Sequence, residues 1–76
     1  MKELTWFGKL VDWAIYAPRR RLDMKILWPA CKRVSEEQGL GMAGAKASFA
    51  FHAFQDSAWR FRYDHRGLEA FIDNME

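Results

Sequence analysis

One cysteine, two prolines and no run of apolar residues long enough to cross a bilayer mark out what this sequence of 76 residues does not do. A lone Cys31 excludes an internal disulfide and a cysteine-rich metal site, the two devices on which small secreted domains usually lean, so a reducing compartment is expected. The apolar N-terminal stretch is broken by Gly8, Lys9 and Asp12 and falls short of the roughly 20 apolar residues a membrane span requires. Neither a signal peptide nor a transmembrane helix is expected, and the expected location is cytoplasmic. No glycine-rich phosphate loop is present, and no internal repeat or low-complexity stretch stands out.

What is abundant is apolar and aromatic mass. Half the residues are hydrophobic and 16% are aromatic, including Trp6, Trp13, Trp28 and Trp59. A chain this short has room for one core, and dense aromatics partly offset its size, so one ordered domain over 1–76 is expected. The net charge is only +2, yet the cations are clustered: Arg19, Arg20, Arg21 and Lys25, then Lys32 and Arg33, then Arg60, Arg62 and Arg66.

The periodicity predicts an all-α, compact bundle of three to four short helices. Residues 5–16 read as a first helix, capped by Thr5, with Trp6, Phe7, Leu10, Val11 and Ala14 on one broad face and Lys9 and Asp12 opposite. Pro18 is expected to end it, and Arg19, Arg20 and Arg21 to form a connector. Asp23 then caps a helix over 24–38 with the stripe Met24, Leu27, Trp28, Cys31 and Val34. Pro29 lies on the polar side of that helix; either it kinks a continuous helix or it starts the main one.

Gly39 and Gly41 predict a left-handed break, and a third, central helix is expected from Met42 to Gln55, with Ala43, Ala47, Ala50, Phe51 and Phe54 as its most apolar face and Gly44 allowing close approach. Residues 57–63 alternate like a strand but have no partner strand, which leaves an extended connector or a helical turn opened by Asp56. Asp64 caps a last helix with the stripe Leu68, Phe71, Ile72 and Met75.

The residues that could carry chemistry are few. Cys31 with His52 has the composition of a nucleophile and its base, but Cys31 lies in an apolar stripe where a thiol packs rather than reacts. His52 with Asp56 is a spacing of one helical turn that recurs by chance, and Ser48 one turn earlier offers His52 a local hydrogen bond. No catalytic, metal or cofactor site is assigned. The informative group is Arg60, Arg62 and Arg66 interleaved with Trp59, Phe61 and Tyr63, since arginine, tryptophan and tyrosine are enriched at protein interfaces and also serve single-stranded nucleic acid. The alternative is that these aromatics anchor the last helix while the arginines are solvated. The candidate partner-binding residues are therefore Arg19, Arg20, Arg21, Trp59, Arg60, Arg62, Tyr63 and Arg66. An interfacial membrane anchor built from helix one and the arginine run ranks third, because so small a core is expected to need that face. The apolar excess also makes a homodimer an expectation.

The stretch from Asp23 to Pro29, DMKILWP, followed by Ala47 to Trp59, ASFAFHAFQDSAW, resembles a pattern in short open reading frames of tailed bacteriophages and prophages. It covers about half the chain, through Asp23, Leu27, Trp28, Pro29, Phe49, His52, Asp56 and Trp59. The resemblance implies a bacterial host cell and, by analogy, a small protein that inhibits or redirects a host protein, with nucleic acid as the alternative partner; it carries no activity onto these residues.

Overall fold

Both prolines lie inside one continuous helix. The computed structural model describes residues 3–76, and its first element, α1, runs over residues 6–37 with α-helical segments Trp6–Val11, Ala17–Leu22 and Trp28–Glu37 joined by π-helical turns at Asp12–Tyr16 and Asp23–Leu27. It begins as expected, with the Thr5 hydroxyl accepting from the Gly8 amide at 3.1 Å. The expected stop at Pro18 and the connector at 19–21 are corrected: those residues are helical. Proline removes an amide and its ring crowds the carbonyl four residues back. Here the residue before each proline reaches back five residues instead of four, Ala17 to the Asp12 carbonyl and Trp28 to the Asp23 carbonyl. The widened turn relieves the crowding without breaking the helix. Of the two readings of Pro29, the continuous helix is the observed one.

The two π turns also uncover a repeat that reading along the chain misses. Asp12, Ile15 and Pro18 recur as Asp23, Ile26 and Pro29. In both copies the aspartate turns inward while the isoleucine and the proline are exposed. Asp23 is thus a mid-helix residue and not a cap, contrary to expectation.

α1 ends in a left-handed reversal. Gly39 has φ +72°, its amide bonds to the Glu36 carbonyl at 3.1 Å, and the Leu40 amide reaches the Ser35 carbonyl at 2.8 Å, the paired bonds that close a helix C-terminus. α2 (Gly41–Gln55) then returns along the C-terminal half of α1, with the Ser35 hydroxyl donating to the Gly41 carbonyl at 2.5 Å. A methyl group on Gly44 would strike the Leu40 side chain and stand 2.7 Å from the Ser35 hydroxyl, so this glycine sets the approach of the two helices. α2 packs on α1, α3 and α4 and is the central helix, as expected. Its buried face is Ala45, Phe49 and Ala53, flanked by Ala50 and Phe54; the expected face is corrected, since Ala43, Ala47 and Phe51 are exposed. An almost wholly apolar helix has no polar side to orient it, so neighbours rather than pattern choose the face.

Two short helices complete the fold. α3 (Ser57–Arg62) is capped by Asp56, whose carboxylate accepts from the Ala58 amide at 2.9 Å, so the alternating segment takes the helical alternative. α4 (His65–Asp73) is capped by Asp64 through the Gly67 amide at 2.6 Å and buries Leu68 and Ile72 along the expected stripe. The core is a chain of edge-on rings, Trp28 to Phe49 at 5.7 Å and Phe49 to Trp59 at 5.5 Å, closed by Cys31, Leu68, Ile72 and Met75. The Trp28 indole donates to the Glu76 carbonyl at 3.0 Å, tying the end of the chain to α1.

The fold is all-α with no strand among the described residues. It is the expected compact arrangement of four helices, with α1 as the long member: the molecule measures 44 × 22 × 19 Å, and α2 to α4 cover only part of α1. No residue of the segment Trp6–Val11 is buried. The expectation that this face serves the core is corrected: Trp6 is 78% exposed and Trp13 68%, with Phe7 and Leu10 exposed between them.

Candidate partner-binding surface

Three consecutive residues of an α-helix point about 100° apart, so an arginine triplet inside α1 cannot act as one patch. Arg20 points inward. Its guanidinium grips Asp12 with both nitrogens, at 2.6 and 2.7 Å, and donates at 2.7 Å to the carbonyl of Ala58 on α3. The π turn makes this possible, because its extra residue turns an eight-residue separation into the equivalent of seven, two turns along one face. Arg20 also lies over the Tyr63 ring, 6.0 Å from its centroid. Arg19 and Arg21 are exposed on either side, and the Arg19 Nε stands 3.8 Å from Asp56.

The second half of the pair of π-turn aspartates faces the same helix. Asp23 accepts from the Trp59 indole nitrogen at 2.8 Å. Trp59 is 2% exposed and its rings meet Phe49, Tyr63 and Phe71, so it is a core residue, and its assignment to a partner surface is corrected. Arg20 leaves that surface too, because its side chain is only 12% exposed and three of its N–H groups are held by Asp12 and Ala58. Asp12 and Asp23, which the sequence reading passed over as site organisers, hold α1 to α3; the signal that could have found them is the spaced Asp, Ile, Pro repeat.

These carboxylates titrate in opposite directions. Arg20 holds Asp12 below its ordinary value chiefly through their hydrogen bonds, against the opposing effect of burial, with Arg62 adding a smaller pull. Asp23 is raised, first by burial and then by the neighbouring Asp56 carboxylate, while the Trp59 indole and Arg19 pull it down.

What remains accessible converges on Tyr63. It is half-buried and lines two clefts. One, of about 310 Å³, is lined by Ala17, Arg20, Arg21 and Met24 of α1 and by Trp59, Tyr63 and Phe71. The other, of about 450 Å³, lies between Phe54, Arg60, Tyr63, Asp64 and His65, above Leu68. His65 stacks on Phe54 at 4.7 Å and pairs with Glu69 at 3.0 Å. Arg60 and Arg66 are exposed, and Arg62 is half-buried beside the Asp12 ion pair, with Phe61 of the same helix against Tyr16 at 4.6 Å. The two sequence segments singled out for binding, 19–21 and 59–66, therefore meet across α1 and α3, but through Arg21, Arg60, Tyr63 and their apolar neighbours.

Of the other candidate groups, His52 and Asp56 line one shallow cleft with Arg19, and Cys31 lies apart from them. Cys31 is buried in the core, whereas Ser48 and His52 are exposed on α2, with His52 edge-on to Phe51. Among the described residues no three His, Cys, Asp or Glu side chains gather as a metal-ligand set. Among them, too, no helix is long and apolar enough to cross a membrane. Comparison with protein-family models, with curated proteins and with solved structures finds no match.

Proposed function

We propose that this protein works by stoichiometric binding of a protein partner at the twin clefts around Tyr63. The observation that carries the reading is the convergence of Arg21, from α1, and Arg60, from α3, on the two sides of one half-buried tyrosine. A tyrosine flanked by apolar depressions and free guanidinium groups suits a partner segment that offers an apolar or aromatic side chain beside a carboxylate. A nucleic acid is the alternative. The protein reading is favoured over it because Trp59 offers no stacking face and Arg20 is neutralised by Asp12, which thins the mixture of open aromatics and free cations that single strands use. The resemblance to phage reading frames supports a bacterial host protein as the partner, inhibited or redirected by occupancy inside the cell.

The test is capture from bacterial lysate on immobilised protein, with and without nuclease and at low and high salt, using the wild type and the variants Arg21→Glu and Arg60→Glu. A protein that the wild type retains through nuclease and high salt, and that either variant loses without a change in melting temperature, supports the reading. Nucleic acid that is released by raised salt would move the assignment to the alternative. A protein retained equally by both variants would show that these clefts are not its site.

A further inference from the structure

From Trp6 to Ser35 the outer face of α1 carries cations and large apolar side chains and no free acid; the exposed Glu36 and Glu37 follow only in its last turn. Between Trp6 and Ser35 the only acidic residues are Asp12 and Asp23, and both turn inward, onto Arg20 and Trp59. The exposed charges there are Lys9, Lys25 and Arg33, all positive, with Arg19 and Arg21 at the edges, beside Asp56 and Tyr63 respectively. Among them are exposed Trp6, Phe7, Leu10, Trp13, Leu22 and Ile26. No residue of Trp6–Val11 is buried, so α2 to α4 leave this end of the long helix uncovered.

We infer that this face lies flat on an anionic lipid surface, with the tryptophans and neighbouring aliphatic side chains in the headgroup boundary and the lysines and arginines on lipid phosphates. The charge pattern selects this occupant. An amphipathic helix of Trp, Phe and Leu with only Lys and Arg for charge is the composition that binds in the plane of acidic membranes. Between Lys9 and Arg33 a second copy of the same face would set cation against cation, with carboxylates only at the Glu36 and Glu37 end. A spanning arrangement is not available to a helix interrupted by these cations. The inference goes beyond the protein-partner reading and is tested on other residues, so either can fail alone.

The tryptophans provide the assay. Trp28 and Trp59 are already buried, at 5% and 2% exposure, so a change in emission on adding lipid reports Trp6 and Trp13. Full-length protein is titrated with vesicles of phosphatidylcholine and phosphatidylglycerol, and separately with phosphatidylcholine alone, while flotation measures the bound fraction. The expected result is a blue shift and flotation with the anionic vesicles only, both reversed by high salt. Trp6→Ser with Trp13→Ser should abolish flotation while leaving the melting temperature unchanged. Lys9→Gln with Lys25→Gln should weaken binding by about fivefold per charge removed. Equal binding to neutral vesicles, no binding to anionic ones, or flotation that survives loss of both tryptophans would each overturn the inference. So would a blue shift that follows protein concentration without lipid, which would give the face to a second copy.

Discussion

Removing Asp12 should unfold this protein more readily than removing any exposed charge. The Asp12 and Arg20 side chains are 10% and 12% exposed, and the guanidinium has three short bonds, two to the carboxylate and one to the Ala58 carbonyl. Asp12→Ala leaves a nearly buried cation with one neutral acceptor, a change that costs about 3–5 kcal/mol where an ion pair is broken from one side. For a domain of this size each kcal/mol moves the melting temperature by about 4–8 °C, so even the lower figure predicts a fall of roughly 12–24 °C. Arg20→Met should cost a comparable amount, because it leaves the Asp12 carboxylate nearly buried without its partner, and Asp12→Ala with Arg20→Met should cost less than the two single losses added together. Thermal unfolding followed by circular dichroism at neutral pH gives all four values. A loss below about 1 kcal/mol for Asp12→Ala, or strict additivity in the double variant, would refute the view that this pair locks α1 to α3.

Four further outcomes follow from the same contacts. Because the folded value of Asp12 lies below its unfolded one, its contribution is complete above the unfolded value and lost as pH falls through the folded one; Asp23, raised on folding, behaves oppositely, and its contribution declines as pH climbs from the ordinary aspartate value through the folded one. Urea titrations across the acid range should therefore give Asp23→Asn a flatter loss of stability on the way up to neutral pH than wild type. At neutral pH Asp23→Asn should be neutral or stabilising, since an amide oxygen can still accept from the Trp59 indole without facing Asp56, whereas Asp23→Ala should cost about 1–3 kcal/mol by orphaning that buried donor. Trp28→Ala should cost about 3–5 kcal/mol in the same denaturant assay, while Trp6→Ala stays within about 0.5, and similar losses at the two sites would contradict the assigned core. Gly44→Ala should lower stability by about 1–3 kcal/mol, because the added methyl meets Leu40 and Ser35; a gain from the better helix former would show that the two helices can separate freely.

Local chemistry determined a good deal on its own. Thr5, Asp56 and Asp64 cap helices because each offers a side-chain oxygen to amides within the next three residues, and Gly39 reverses the chain because it alone tolerates its positive φ. The stripe of α4 follows from apolar spacing, which an amphipathic helix must bury. What lay beyond the sequence depended on balances between distant groups. A proline costs a helix one hydrogen bond and a steric clash, and whether the chain stops or widens by a π turn depends on what the helix gains by continuing. Here Arg20, held by Asp12 and donating to the Ala58 carbonyl, and Asp23, accepting from Trp59, supply that gain from α3, more than thirty residues away. The same contacts turned Arg20 and Trp59 from candidate surface into scaffold. They also drew the buried stripe of α1 away from Trp6 and Trp13, because three short helices can cover only one side of a helix this long, and the side with hydrogen-bond partners was the one covered.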